Sequence, residues 1–173
     1  YPKSRERLLL HVEDKPEAER SGFGFHYTPY DFDSQPERSF FEQLLARLDV
    51  DSRDVEEILF TGALTDHGKT EFFVEYRDTK GKWRRYTPDF LIRRRPAAGQ
   101  PAGSGALMIV EVKAEREREH PDDGEQGRKA MAVRRLAALD PARLRYEILF
   151  TDSSVIAADD LDTLLKAGVE ASA

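Results

Sequence analysis

The run Leu107-Met108-Ile109-Val110-Glu111-Val112-Lys113 constrains the fold more than any other segment. It is apolar without a break until Glu111. That is the pattern of a strand covered on both faces, and so of a strand central in its sheet. Two charged residues then close it. Side chains at i and i+2 of a strand share one face, so Glu111 and Lys113 point together and Val112 points away. Charges at the end of a buried strand require partners, because an unpaired buried charge is costly. The alternative is a strand emerging into solvent with an ordinary ion pair on its face.

A second run, Tyr86-Thr87-Pro88-Asp89-Phe90-Leu91-Ile92, has the reverse arrangement: polar residues lead and the apolar strand follows. Pro88 has no N–H for a ladder, so regular pairing is interrupted where Asp89 stands. The interruption either aims a carboxylate into a cleft or makes an ordinary Pro-Asp turn. Together, the two runs deliver an acid each from consecutive strands, with a lysine beside one of them. Asp89 and Glu111 are oxygen donors suited to a hard cation, Mg²⁺ with Mn²⁺ as substitute, and the Val112 carbonyl can add a ligand. Such a cation acidifies bound water and neutralises charge on a phosphodiester. Lys113 orients that water or stabilises the transition state. The expected chemistry is in-line cleavage of a P–O bond.

A helix start precedes both strands. In Ser34-Gln35-Pro36-Glu37, Ser34 can cap, Pro36 suits the first turn and Glu37 stands three residues after the cap. Phe40, Phe41, Leu44, Leu45 and Leu48 follow at helical spacing, and the helix should end near Asp49–Asp51. Glu37 is the third candidate carboxylate, as catalyst and metal ligand. It is equally well read as the capping-box partner of Ser34. Glu42 is a lower-ranked alternative.

The remaining chain gives the frame. Val55–Leu64 reads as a strand or a helix-to-strand junction. Glu71–Arg77 and Lys82–Arg94 read as paired strands around the turn Asp78-Thr79-Lys80-Gly81. Residues 96–105 form a small-residue loop between antiparallel strands, with a mobile tip expected. After a charged segment at Glu115–Gly127, Arg128–Leu139 reads as a helix with Met131, Val133, Leu136 and Leu139 on its apolar side. Arg145–Thr151 is a further strand and Asp159–Leu165 a final helix. Upstream, residues 6–13 are a short strand or arm and 14–22 a loop. Residues 23–32 are extended and carry Phe23, Phe25, Tyr27, Tyr30 and Phe32. This order predicts an α/β fold: a mixed central sheet flanked by helices, with the two acid-bearing strands adjacent.

With no cysteine, disulfides and thiolate-held metals are excluded, and a cytoplasmic setting is expected. No apolar run has membrane-spanning length, so no membrane partner is expected. His11, His26, His67 and His120 lack metal-ligand spacing. The chain opens at Tyr1 without methionine, and a processed, trimmed or excised piece of a longer protein is the expectation. A net charge of -6 opposes a nucleic-acid partner, because phosphate neutralisation dominates that affinity. Distribution offsets the objection, since Lys80, Lys82, Arg84, Arg85, Arg93, Arg94 and Arg95 cluster around the Pro-Asp run. Arg84, Arg85 and Arg93 are candidate DNA contacts, although a solvated sheet edge accounts for the cluster equally well. Gln126, Arg128 and Lys129 open the helix after the second acid-bearing strand. Lys129 is the candidate phosphate contact among them, with solvated helix residues the competing reading.

At Pro88-Asp89 and Glu111-Val112-Lys113 the chain resembles the PD-(D/E)XK nuclease superfamily. It is most similar to the nuclease domains attached to superfamily-two helicases, as in type III restriction subunits. The likeness runs from about Tyr27 to Ile156 and includes residues 30–37, 86–90, 109–113 and Lys129. Transposon end-cleaving nucleases share the Tyr-Thr-Pro-Asp-Phe and Glu-Val-Lys style. The resemblance implies a restriction-endonuclease-like αβββαβ core within residues 27–173, with residues 1–26 an unassigned arm. It implies Mg²⁺-dependent DNA cleavage leaving 5′-phosphate ends, and it supports Glu37 as the helix-borne acid. A helicase or ATPase module in the same or a partner chain is the expected partner, and two cuts on a duplex would suit a homodimer. The competing readings are a catalytically inactive nucleic-acid-binding module of the same fold and a protein-interaction domain.

Overall fold

The computed structural model describes residues 9–10, 30–61, 72–117, 124–151 and 158–166. The Phe23, Phe25 and Tyr27 stripe, the loop at 14–22 and all four histidines lie outside them. Strand β1 (Leu9–Leu10) pairs antiparallel with β2 (Tyr30–Asp31), which joins part of the N-terminal arm to the segment leading into the first helix. Helix α1 (Gln35–Val50) starts as its sequence dictates. Ser34 is the extended N-cap and its hydroxyl oxygen accepts the Glu37 N–H at 3.3 Å. The stripe Phe40, Phe41, Leu44, Leu45 and Leu48 is buried.

The central sheet contains β3 (Val55–Phe60), β6 (Phe90–Arg94), β7 (Leu107–Ala114) and β8 (Leu144–Thr151), in the order β3-β6-β7-β8. The pairs β3–β6 and β6–β7 are antiparallel, and β7–β8 is parallel. A parallel return needs a crossover, and α2 (Gly124–Ala137) lies in that connection. Helix α3 (Ala158–Lys166) follows β8. The architecture is a mixed α/β fold with a central mixed sheet flanked by helices. β7 is interior to the sheet, as its unbroken apolar run requires.

The span Lys82–Arg94 is not one strand. β4 (Val74–Arg77) and β5 (Trp83–Tyr86) form a separate antiparallel ribbon, and the chain breaks at Thr87-Pro88-Asp89 before entering the central sheet as β6. Pro88 is fully buried and gives no N–H, so β5 cannot continue its ladder through it. The helix expected from Arg128 begins earlier, at Gly124, and its buried residues are Gly127, Ala130 and Val133. Met131 and Leu139 are exposed rather than apolar-side residues. Small side chains at three-residue spacing set the packed face, and Leu139 stands beyond the helix end.

The sheet separates two apolar layers. One contains the α1 stripe with Phe90, Ile92, Met108, Val110 and Val112. The other contains Val74, Tyr76 and Tyr86 of the ribbon with Leu91, Ile109 and Val133. Strand alternation puts Glu111 and Lys113 in phase with Ile109, so they project on the α2 side.

The β6–β7 loop is pinned in its second half. The Gly103 N–H donates to Glu56 Oε1 at 3.1 Å, and its carbonyl accepts from Arg93 Nη1 at 2.9 Å. A Cβ at Gly105 would lie 1.8 Å from the Arg94 carbonyl oxygen, so the backbones there meet closer than any side chain allows. Among the described residues no helix is long and apolar enough to cross a membrane.

Candidate active site

The register of β6 on β7 builds the site. The last recorded pair is Phe90↔Val110; one antiparallel step further sets Asp89 opposite Glu111. Asp89 Oδ2 accepts the Val112 N–H at 2.8 Å. The turn that delivers Asp89 is fastened from β3. Thr61 donates its N–H to the Asp89 carbonyl at 2.9 Å and its hydroxyl to the Pro88 carbonyl. β7 runs past the start of β6. Because one strand residue presents its N–H and C=O to the same side, the Val112 carbonyl faces that open side, next to the Asp89 carboxylate.

Glu111 is buried, at 3 % exposure. Its Oε1 is ion-paired with Lys113 Nζ, while its Oε2 is buried with no hydrogen-bond partner among the described residues. Burial raises the Glu111 pKa, and the Lys113 charge opposes the rise only in part. Burial alone would lower the Lys113 pKa, but the adjacent Glu111 carboxylate outweighs it and keeps the amine protonated. Asp89 as a residue is half-buried, yet its carboxylate is desolvated enough to be raised to about 6, against the Val112 hydrogen bond and the Lys113 charge. Three elements thus surround a group of charges that water does not fully solvate. Such clusters mark functional sites more often than ordinary surface pairs do.

Glu37 is held at the start of its own helix. It caps α1, with Oε1 accepting from the Ser34 hydroxyl at 2.6 Å and Oε2 from the Asp33 N–H at 3.2 Å. It is also buried and raised to about 7, first by burial and then by the negative charge of Asp89. Glu37, at the start of α1, stands close enough to Asp89 for the two charges to interact. Among the described residues no group of three or more His, Asp or Glu side chains is arranged to hold a metal ion. Glu37 therefore does not complete a three-carboxylate ligand set. It lines the cleft at the open sheet end together with Val112, Lys113, Glu117, Gln126 and Thr151.

The candidate DNA contacts divide. Lys129 reaches the site: its Nζ lies 5.4 Å from the Tyr86 ring centroid and 6.0 Å from that of Tyr76. Its charge lowers the pKa of both Asp89 and Glu111. Arg84 and Arg85 stand on the ribbon, paired with Asp78 at 3.0 Å and Glu75 at 3.8 Å. Arg93 is at the far end of β6, bonded to Glu57 at 3.2 Å, about 13 Å from Asp89 along the strand. It does not join the site. Glu42 pairs with Arg38 one helical turn back. Sequence reasoning missed Thr61, which no local pattern marks, and Glu117, which faces Glu111 and Lys113 electrostatically from the short 3₁₀ turn Glu115–Glu117. It also missed Tyr76 and Tyr86, whose inward phase on the ribbon could have been counted from Val74.

No family model, curated protein or solved structure matches this chain. Its chemistry therefore rests on its own side chains. The donors offered are oxygens, the kind a hard divalent cation takes: the Asp89 and Glu111 carboxylates, the Val112 carbonyl at an open edge, and among them the buried Glu111 Oε2, which has no hydrogen-bond partner among the described residues.

Proposed function

We propose that the chain is a metal-dependent endonuclease domain of the PD-(D/E)XK type, hydrolysing DNA phosphodiester bonds beside a helicase or other targeting module. The element order α1, β3, β6, β7, α2, β8 agrees with the αβββαβ core such nucleases use. The observation that carries the reading is the pairing of Asp89 with Glu111 on adjacent strands, Lys113 on the same face as Glu111, and Glu111 Oε2 unpartnered among the described residues. The net charge of -6 favours delivery of DNA by a partner module.

In this reading Asp89, Glu111 and the Val112 carbonyl hold Mg²⁺ or Mn²⁺, which when bound supplies charge neutralisation at the scissile phosphate and a more acidic water. Lys113, kept protonated by Glu111, positions that water or a non-bridging phosphate oxygen. Lys129 adds a second positive charge from α2. Glu37 is a carboxyl able to take up the water proton near neutral pH. Water oxygen bonds to phosphorus, the bond from phosphorus to the 3′ oxygen breaks, the 3′ oxygen takes a proton from solvent to leave as a hydroxyl, and the other product carries a 5′-phosphate. Plasmid nicking with Mg²⁺ or Mn²⁺ tests the proposal, wild type beside Asp89→Ala and Lys113→Ala. Wild-type cleavage lost in both variants supports it; cleavage surviving both overturns it.

A further inference from the structure

The β4–β5 ribbon has an outer face that the central sheet does not use. Directly opposite residues of an antiparallel pair share a face. The register Glu75↔Arg85 and Arg77↔Trp83 therefore puts these four on the side away from Val74, Tyr76 and Tyr86, which are buried toward α2. Two aromatic–guanidinium stacks lie there. Arg77 sits 4.9 Å from the Trp83 ring centroid, and Arg85 sits 4.2 Å from that of Phe73. Trp83 is 63 % exposed, an unusual position for a large apolar ring in a soluble fold.

The ribbon is also basic within an acidic chain. Residues 72–87 hold five basic side chains, Arg77, Lys80, Lys82, Arg84 and Arg85, against two acids, Glu75 and Asp78. Asp78 is buried and spent on the turn: its Oδ1 accepts the Lys80 and Lys82 N–H groups, each at 2.9 Å. That leaves Lys80 and Lys82 projecting at the tip. They and Arg77 have no acid partner among the described residues.

We infer that the outer face of this ribbon binds single-stranded DNA, with Trp83 as a stacking platform for an unpaired base. Flat rings backed by guanidinium groups match the faces of bases, and those faces are free only where a strand is unpaired. A duplex offers base edges and phosphates instead. The basic tip supplies the accompanying phosphate contacts. β5 runs straight into Thr87-Pro88-Asp89, so a strand held here lies one turn from the candidate active site. The binding stands apart from the proposed cleavage and needs no cation.

Trp83 is the chain's single tryptophan, so intrinsic fluorescence reports this face alone. The test titrates the whole chain carrying Asp89→Asn with a dT oligonucleotide in EDTA. Saturable quenching that weakens with salt is expected. Trp83→Ala should weaken binding of a labelled dT oligonucleotide roughly tenfold. Arg77→Ala and Lys82→Ala should each reduce the salt slope by about 0.7, the single-strand value per phosphate contact. Circular dichroism checks that each variant is folded. Unchanged tryptophan emission at saturating oligonucleotide overturns the inference. So does equal quenching by duplex DNA or heparin, which would show a general polyanion surface. Quenching without any cleavage by wild type would sink the nuclease reading and leave this one standing.

Discussion

The Val112 N–H donates to Asp89 Oδ2 at 2.8 Å, so the residue between Glu111 and Lys113 holds the carboxylate that opens the neighbouring strand. Pro88 ends one ladder, Asp89 begins another, and the bond to Val112 locks their junction onto β7. The acid is positioned by backbone rather than by a flexible partner. That distinguishes two substitutions which would otherwise look alike.

Asp89→Asn keeps an oxygen acceptor for Val112 and removes the charge that acts on Glu37. Its melting temperature in EDTA should equal or exceed that of wild type. Asp89→Ala strands a Val112 donor and should cost about 1–3 kcal/mol. Both should lose nicking activity, on the order of 10³-fold. Thermal melts beside plasmid assays check the split. An Asn variant as destabilised as Ala would show that the hydrogen bond does not position the acid.

Glu37 predicts a pH dependence. Its folded pKa of about 7 lies above the ordinary 4.5, so between those values the folded chain binds more protons than the unfolded one. The sign follows from linkage. Its contribution is fully present below about 4.5 and is lost as pH rises to about 7, by on the order of 3 kcal/mol. Asp89, raised to about 6, acts in the same direction. Urea unfolding from pH 4 to 8 in EDTA should show stability falling across this window, and Glu37→Gln should flatten the fall. Added Mg²⁺ should restore stability most strongly at the upper end. A Glu37→Gln profile parallel to wild type would remove Glu37 from this account.

Much of this arrangement could be read from residue order, and what could not has physical causes. Leu107–Lys113 had one reasonable place, an interior strand, because no other position buries so long an apolar run. Ser34 and Pro36 fixed the start of α1 by local chemistry. The ribbon was misjudged because alternation continues smoothly through Tyr86, Phe90 and Ile92, and only the missing N–H of Pro88 separates the two sheets. The α2 stripe was misjudged because Gly127 and Ala130 pack through small size, which hydrophobic counting undervalues. Glu37 could not be placed at all from spacing. Its two uses, cap and buried neighbour of Asp89, are compatible in space, and the sequence offered them as alternatives.

The Glu111–Lys113 pair predicts asymmetric substitutions. Lys113→Met leaves a carboxylate that is 4 % exposed without its cation, while Lys113 itself is 20 % exposed. The loss should be about 2–3 kcal/mol, below the range for a fully buried pair. Glu111→Gln removes the charge that is costly to bury and should be nearly neutral. The double variant should be more stable than Lys113→Met alone, giving a coupling of at least about 1 kcal/mol in a double-mutant cycle. Denaturant unfolding in EDTA measures all four corners. Additive effects would mean that the pair is solvent-exposed in practice.

Gly105 tests whether β6–β7 pairing controls the site from its opposite end. The Arg94 N–H donates to the Ala106 carbonyl at 2.8 Å, and a Cβ on Gly105 would meet the Arg94 carbonyl oxygen at 1.8 Å. Backbone lies on both sides of that contact, so no side chain can swing away to relieve it. Gly105→Ala should cost roughly 3 kcal/mol or more. Gly99→Ala lies in the same loop in open space at a φ of 87°, and should cost about 1 kcal/mol through backbone strain alone. Because the register that opposes Asp89 to Glu111 propagates from this loop, Gly105→Ala should also weaken Mn²⁺ affinity when measured by calorimetry on the remaining folded protein. Gly99→Ala should leave that affinity unchanged. Equal stability losses in the two variants would show that the loop yields around Gly105 and does not set the register.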